Sequence, residues 1–380
     1  MTTQIRVVHV ITGLSVGGAE LALYRLAAAM DRQQFHSLVV ALGTEGRVGE
    51  LIRAAGIEVR SLGMSRRPAR GLVALARLLR DAQPDIVQTW MYHANLIGTL
   101  GARLAAVRRL VWNVRTSDFV GRHPSRAIRF VSALCALATR TRLAPDVVVV
   151  NSEAGLTVHS ALGYRARRWE VIPNGFDPER FRPDAAVRAE VRRGLGVRGE
   201  VPLVGHVARL DPMKDHDGFL RAMALVRAEW PGVRCVLAGP GVDAGSALAR
   251  RIAALGLNGC AQLLGERLDV SRLLAAVDVF ISSSKYGEGF SNAIGEAMAC
   301  GVPCVVTDVG DSAAIIGGTG FVVPPGDPVA LAAAVRRVLA MSADQRQELG
   351  RAARERVRER FHLPVIVERY EALYRELAAR

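Results

Sequence analysis

The stretch Glu288-Gly-Phe-Ser-Asn-Ala-Ile-Gly-Glu296, continuing Ala-Met-Ala-Cys-Gly-Val-Pro303, lies between two short apolar runs, Val279–Ser282 and Cys304–Thr307. It reads as strand, glycine-bearing loop, helix and strand. The helix is expected over Asn292–Ala299, stopped by Gly301 and Pro303 before the chain re-enters the sheet. A strand, a crossover helix and a second strand form the unit of a buried parallel sheet. Loop Gly287, Gly289 and Ser291 let the backbone come close to a ligand. A helix start also presents free N–H groups and a positive dipole end to an anion. Glu288 then stands at the mouth of a site and Glu296 about one turn inside the helix. Two polyol-binding carboxylates around a phosphate-friendly helix start describe a sugar-nucleotide site better than a proteolytic or redox one.

The same rhythm extends in both directions. Leu203–Ala208, Arg234–Ala238 and Ala261–Leu264 read as further strands of the second half. In the first half the strand candidates are Arg6–Ile11, Ser37–Leu42, Glu58–Leu62, Ile86–Thr89, Leu110–Val114 and Val147–Val150. Helical patterns such as Glu20–Met30, Gly71–Asp81 and Asn95–Ala105 lie between them. Two such series predict two doubly wound α/β domains. The boundary falls near Val171-Ile-Pro-Asn-Gly-Phe-Asp-Pro178, a cluster of loop formers. A last periodic helix, Val365–Leu377, follows the break at His362-Leu-Pro364 and is free, by pattern alone, to pack on either domain.

With 380 residues, the chain suits two domains, and half of it is apolar, as a folded protein requires. No apolar run reaches the roughly 18 residues a membrane span needs. The amino terminus runs straight into a strand without a signal-peptide pattern. Five scattered cysteines (Cys135, Cys235, Cys260, Cys300, Cys304) match no zinc spacing and favour a reducing cytosol over a disulfide framework. The net charge of +14 is mostly arginine. It either reflects a GC-rich coding bias or points to an anionic membrane or phosphorylated substrates, nucleic acid being the weakest partner because aromatic content is low and no motif is present.

Two further motifs carry chemistry. Ser15-Val-Gly-Gly-Ala-Glu20 follows the first strand and opens a helix, so Gly17 and Gly18 either bring amides to a phosphate or merely form a tight turn. The segment is neither a P-loop nor a full dinucleotide fingerprint. In Val204-Gly-His-Val-Ala-Arg-Leu210 a strand delivers Arg209 at its carboxyl end, and Lys214 follows before the next helix. Ligands of open α/β sheets bind at carboxyl ends. Two cations so placed either neutralise a diphosphate, stabilising charge that grows on a leaving group, or are ordinary surface cations.

The ordered set Ser15–Glu20, Ile172-Pro-Asn-Gly-Phe-Asp177, Arg209 with Lys214, Glu288 with Glu296, and Gly320-Phe-Val-Val-Pro-Pro-Gly-Asp327 resembles the retaining glycosyltransferase family four. The resemblance spans nearly the whole chain. It implies the GT-B fold, two facing Rossmann-like doubly wound parallel-sheet domains with a C-terminal crossover helix. The domains would be 1–173 with 364–380, the acceptor domain, and 174–363, the donor domain. It implies that Arg209 and Lys214 hold the donor diphosphate, Glu296 the ribose and Glu288 the transferred sugar. Phe290, Ser291 and Asn292 would lay backbone N–H groups along sugar and phosphate. Gly265-Glu-Arg267 would read the nucleotide base, and Gly17 and Gly18 would contribute from the first domain. His93, in Trp90-Met-Tyr-His-Ala-Asn95, stands where relatives often place a sugar-contacting histidine, or is a solvated loop residue. Asp118, in Arg115-Thr-Ser-Asp118, is a candidate for an acceptor contact. Gly310-Asp-Ser-Ala-Ala314 departs from the family's glutamate-bearing pattern, and no role is assigned there.

The expected reaction moves a sugar from a nucleotide-diphosphate sugar to an acceptor hydroxyl, with a lipid-linked saccharide in cell-surface polysaccharide assembly as acceptor. No cofactor and no metal are expected, since Asp215-His-Asp217 reads as a helix start and the two cations serve instead. The rivals are a sugar-nucleotide epimerase, a soluble-glycoside synthase or a non-catalytic nucleotide-sugar binding module. Between Gly121 and Arg142, Arg122, Arg126, Arg129, Arg140 and Arg142 surround apolar Phe130–Ala138. This is either a helix lying on the inner face of the plasma membrane or a buried helix with arginine caps. Base, sugar, acceptor and linkage are not legible.

Overall fold

The computed structural model describes residues 4–64, 68–117 and 126–380. They form two compact units, the first holding residues up to 175 together with 363–380, the second 176–362. The first unit has seven strands: β1 (Ile5–Ile11), β2 (Phe35–Ala41), β3 (Glu58–Ser61), β4 (Ile86–Trp90), β5 (Arg109–Val114), β6 (Val147–Val150) and β7 (Trp169–Val171). Its helices include α1 (Gly18–Ala29), α2 (Arg47–Ala54), α3 (Pro68–Ala82), α4 (Tyr92–Leu104), α5 (Arg126–Ala138) and α6 (Glu153–Ala161). The sheet order is β3-β2-β1-β4-β5-β6-β7, all parallel. β6 is four valines, each buried, because helices cover both faces and leave no polar side to the strand.

The second unit contains α7 (Ala185–Gly194), β8 (Leu203–Val207), α8 (His216–Glu229), β9 (Arg234–Ala238), α9 (Ala247–Ala254), β10 (Ala261–Leu263), α10 (Val270–Ala276) and β11 (Val279–Ser282). It continues with α11 (Asn292–Ala299), β12 (Cys304–Thr307), α12 (Ser312–Ile316), β13 (Gly320–Val323), α13 (Pro328–Leu339) and α14 (Ala343–Arg360). Its sheet order is β10-β9-β8-β11-β12-β13, again all parallel. The last helix, α15 (Leu363–Ala378), returns to the first unit. There Ile366, Val367, Tyr370, Leu373, Tyr374 and Leu377 join the core formed by β1, β2 and α1.

In each sheet the winding reverses once, between β1 and β4 in the first and between β8 and β11 in the second. These are the topological switch points, where diverging connections leave a crevice at the carboxyl ends. Three local differences from the sequence reading matter. β7 and β13 are strands that the pattern did not reveal, since each is short and β7 carries Glu170. α4 begins three residues before Asn95, so His93 lies in a helical turn rather than a loop. Gly18 is helical, with Gly17 as the capping residue. All five cysteines are buried and free. No helix among the described residues is long and apolar enough to cross a membrane.

Candidate functional site

The site is best built from the β8/β11 switch point. β8 ends at Val207, and the chain runs through Arg209 into a single 3-10 turn, Pro212–Lys214. Asp211 caps this turn by accepting from the Met213 N–H at 3.0 Å, and α8 starts directly behind it. Across the crevice β11 ends at Ser282 and feeds the loop that carries Glu288. The two loops meet in the ion pair of Lys214 Nζ with Glu288 Oε2 at 2.5 Å, with side chains 16 % and 9 % exposed. Such burial makes the pair dependent on mutual neutralisation, because either charge alone is poorly solvated.

Glu288 has further support. The Ser284 hydroxyl donates to its Oε2 at 2.9 Å. Burial pushes the Glu288 carboxyl up, but the Lys214 ammonium, the Ser284 hydroxyl and the Arg209 charge together hold it below the ordinary carboxylate range. It is therefore an anion at neutral pH, suited to accepting hydrogen bonds and unsuited to donating a proton. Arg209 is half-exposed and lies 3.5 Å from Asp211 Oδ2. The result is a cationic pair around one fixed anion, an arrangement that can grip an anionic group and a hydroxyl side by side.

α11 begins at Asn292 with Ser291 as its capping residue, and the Ser291 hydroxyl accepts no bond from the helix. The Ser291 side chain therefore does not cap this helix start, the kind of place where an anion meets backbone N–H groups. The Phe290 ring is core, stacked with Phe176 at 6.2 Å and edge-on to Phe361 at 5.3 Å, so only its backbone is offered to a ligand. Glu296 is buried on the second turn of α11. Arg267, just beyond β10, is gripped through Nε and Nη2 by Asp269, which leaves the backbone of Gly265–Arg267 as the readable surface.

Two glycines that the sequence reading passed over shape the same crevice. A Cβ on Gly310 (φ +59°) would stand 1.9 Å from the Glu288 carbonyl oxygen. The neighbouring Asp311 N–H donates to the Gly289 carbonyl at 3.0 Å, so the loop after β12 props the Glu288 loop. A Cβ on Gly239 (φ +150°) would lie 2.1 Å from the Ala208 carbonyl oxygen, directly before Arg209. Their only sequence signal is a glycine within three residues of a strand's carboxyl end.

In the first unit Gly17 and His93 follow β1 and β4, the two strands of that switch point. His93 is exposed in the first turn of α4, after Met91 in a left-handed conformation (φ 70°). Gly17 is extended (φ −164°), which any residue adopts; a Cβ there would instead meet the Glu20 carboxylate at 2.3 Å. Burial raises the Glu20 carboxyl, which its own backbone N–H partly offsets. The Gly17–Gly18 turn therefore makes room for an acidic side chain over the helix start. Asp118 and Arg122 lie outside the described residues. Among the described residues no group of three or more His, Cys, Asp or Glu could hold a metal ion. Asp215 of Asp215-His-Asp217 caps α8, accepting from the Gly218 N–H at 3.0 Å.

α5 resolves into two faces. Ser132, Cys135, Ala136 and Ala138 are buried, while Phe130 and Leu137 are 65 % and 58 % exposed. Arg126, Arg129, Arg140 and Arg142 are exposed around them.

Comparison with known proteins agrees with this architecture. Residues 16–180 match the model described as Glycosyltransferase Family 4, and residues 201–341 that described as Glycosyl transferases group 1. The chain is 28 % identical over 318 residues to the putative glycosyltransferase EpsF of Bacillus subtilis, covering 81 % of this chain and 80 % of that one. It is 28 % identical over 244 residues to the UDP-Gal:alpha-D-GlcNAc-diphosphoundecaprenol alpha-1,3-galactosyltransferase of Escherichia coli, covering 63 % of this chain and 62 % of that one. The crystal structure of Anabaena HepE in complex with UDP-glucose superposes with a TM-score of 0.83 and 26 % identity, over 97 % of this chain and 99 % of that one. Two family models, one matching chiefly in the first unit and one within the second, with a structural match along nearly the whole length, make the chain a member of glycosyltransferase family four with the GT-B fold.

Proposed function

We propose that this glycosyltransferase moves a sugar from a nucleotide-diphosphate sugar to an acceptor hydroxyl with retention of anomeric configuration. The Lys214–Glu288 pair at the switch point, with Arg209 beside it, is the observation that carries the reading. In this reading Arg209 and Lys214 take the diphosphate, Glu288 the transferred sugar's hydroxyls and Glu296 the ribose. The amides of Phe290, Ser291 and Asn292 line sugar and phosphate, and the backbone around Arg267 faces the base. Gly17, Gly18, His93 and Asp118 belong to the first unit's contribution. No carboxylate acts as nucleophile, and Glu288 is unsuited to be one while tied to Lys214. The departing phosphate takes the acceptor proton on the same face, while the two cations stabilise the charge that grows there. They supply the charge that a divalent cation would otherwise bring. HepE, bound to UDP-glucose, supports a UDP-sugar as first candidate donor. A thermal-shift screen of UDP-, GDP-, ADP- and dTDP-sugars is expected to single out one nucleotide, since ligand at about 100 times its dissociation constant stabilises by about 2.7 kcal/mol. No stabilisation by any of the four would remove this reading.

The E. coli relative is named for transfer to a diphosphoundecaprenol saccharide, and this supports a lipid-linked acceptor in surface polysaccharide assembly at the cytoplasmic side of a membrane. The outer face of α5 is suited to such a surface, with Phe130 and Leu137 between arginines. α4 packs between α3 and α5 and adds exposed Leu104, while α3 adds Val73, Arg70 and Arg77. The chain is expected to sediment with phosphatidylglycerol vesicles at low salt, and Phe130→Glu with Leu137→Glu to abolish it. Wild-type protein left in the supernatant would end the membrane reading and leave the donor site untouched.

A further inference from the structure

Two of the three residues after β11, Ser283 and Lys285, bind the opposite loop, and Ser284 between them binds its own loop and β12. The Ser283 hydroxyl donates to the Lys214 carbonyl at 2.8 Å and lies 3.2 Å from the Asp215 carbonyl. Ser284 donates its hydroxyl to Glu288, as described, and its own carbonyl accepts from Thr307 Oγ1 of β12 at 2.6 Å. The Lys285 N–H donates to the Met213 carbonyl at 2.7 Å. Its ammonium reaches Asp215 Oδ1 at 2.8 Å.

Asp215 is the unusual member. It is held in the left-handed region (φ 47°, ψ 51°), which aspartate tolerates better than most residues but which still costs free energy. Its carboxylate is 5 % exposed, caps α8 and takes the Lys285 ammonium on the same oxygen. Space for that carboxylate depends on Gly218, where a Cβ would stand 2.2 Å from Asp215 Oδ2. The residue immediately before this strained position is Lys214. Lys285 itself is 44 % exposed, whereas the carboxylate it meets is 5 % exposed, so the pair reaches from the surface to a buried anion. Asp215 joins Lys214 to α8, so its conformation bears on the backbone from which Lys214 projects.

We propose that Lys285 is a positioning residue for the donor site, holding Asp215 in its left-handed conformation so that Lys214 stays aimed at Glu288 and at the donor diphosphate. This rests on the donor-site reading above and adds to it a residue that touches no substrate. A cation aimed through a fixed backbone needs no reorganisation when charge develops, which is the condition for electrostatic catalysis. A swing of about 1 Å in such a group can cost as much as about 100-fold in rate. Ser283 and the Lys285 N–H keep the two loops attached when the ammonium is removed, so loss of Lys285 should misdirect the site without unfolding it.

The test uses the full chain with whichever of the UDP-, GDP-, ADP- or dTDP-sugars stabilises it most. Lys285→Met is expected to lower kcat about tenfold with KM for that sugar nearly unchanged, and Lys285→Arg to restore most of it. Hydrogen–deuterium exchange over Val207–Phe219 should quicken in Lys285→Met and recover in Lys285→Arg, with or without donor. Wild-type exchange and wild-type kcat in Lys285→Met overturn the proposal. A lower Tm with unchanged kcat also overturns it, since that is a structural role only. If exchange quickens but Lys214→Ala turns over normally, the donor-site reading has failed and the positioning role falls with it. If Lys214→Ala is inactive and Lys285→Met is normal, only the positioning role has failed.

Discussion

Replacing Lys214 by alanine is expected to lower turnover by about 100- to 1000-fold, the range for removing one preorganised group from a developing anion. The structure adds a second consequence. Glu288 is buried, and Lys214 supplies the leading attraction that holds its carboxyl down. Without the ammonium, burial outweighs the remaining help from Ser284 and Arg209, and the Glu288 carboxyl moves upward. In the native protein the pair's stabilisation is present above the ordinary carboxylate range and is lost as pH falls through the depressed value. In Lys214→Ala that loss should set in at higher pH, so residual activity should fall off at a higher pH than the activity of the wild type does. Leaving one charge of a buried pair also costs about 3–5 kcal/mol, so the second unit should melt at lower temperature. Lys214→Arg keeps the charge but offers a planar fork in place of a compact ammonium and should recover only part of the rate. A pH–rate profile of Lys214→Ala that coincides with the wild type would sink the assignment.

Acid should destabilise the protein well before its carboxylates titrate. Burial holds His9 and His206 to pKa values of about 3 and His159 to about 4. His9 lies under α15, 6.5 Å from the Tyr374 ring, and His206 is stacked on Phe219 at 4.9 Å. His159 bonds Tyr92 Oη at 2.7 Å. All three fold neutral. Between pH 6.5 and about 4 the unfolded chain binds protons that the folded chain refuses, so stability falls as pH falls. Each refused proton contributes about 1.4 kcal/mol per pH unit, and three together about 4 kcal/mol per unit near pH 5. Urea midpoints between pH 7.5 and 5 should therefore drop steeply, and His206→Gln should flatten the slope for the second unit. A flat wild-type profile over that range would mean that these rings are solvated or paired.

Much of the fold is legible because parallel sheets write themselves as alternation. Asn292–Ala299 is helical as its glycine and proline stops require, and Val279–Ser282 and Cys304–Thr307 flank it as strands. What the pattern hides is short or distant. β7 has three residues, too few to establish a period, and β13 begins with a glycine. Arg209, Lys214, Glu288 and Glu296 could be singled out by type and place, since Arg209 and Lys214 lie between β8 and α8, Glu288 lies between β11 and α11, and Glu296 is within α11. The Lys214–Glu288 contact, 74 residues apart, and the Asp215–Lys285 pair are not. No local propensity reports a contact made by two loops across a switch point. Gly239 and Gly310 escape for the same reason, as the atoms they avoid belong to another strand's loop.

The placement of α15 bears on the order of events during synthesis. The core around β1, β2 and α1 is closed by residues that leave the ribosome after the entire second unit. Until then His9, Gln88 and Asn113 on the sheet have no Tyr370 or Tyr374 above them; in the finished fold the Tyr374 hydroxyl bonds Gln88 and Asn113 donates to Tyr370 Oη at 2.8 Å. The second unit, contiguous in sequence, can complete itself first, reversing the usual amino-to-carboxyl order of domain folding. The first unit lacks the part of its core that α15 supplies until the last helix is made, so that part of its apolar face stays uncovered until then.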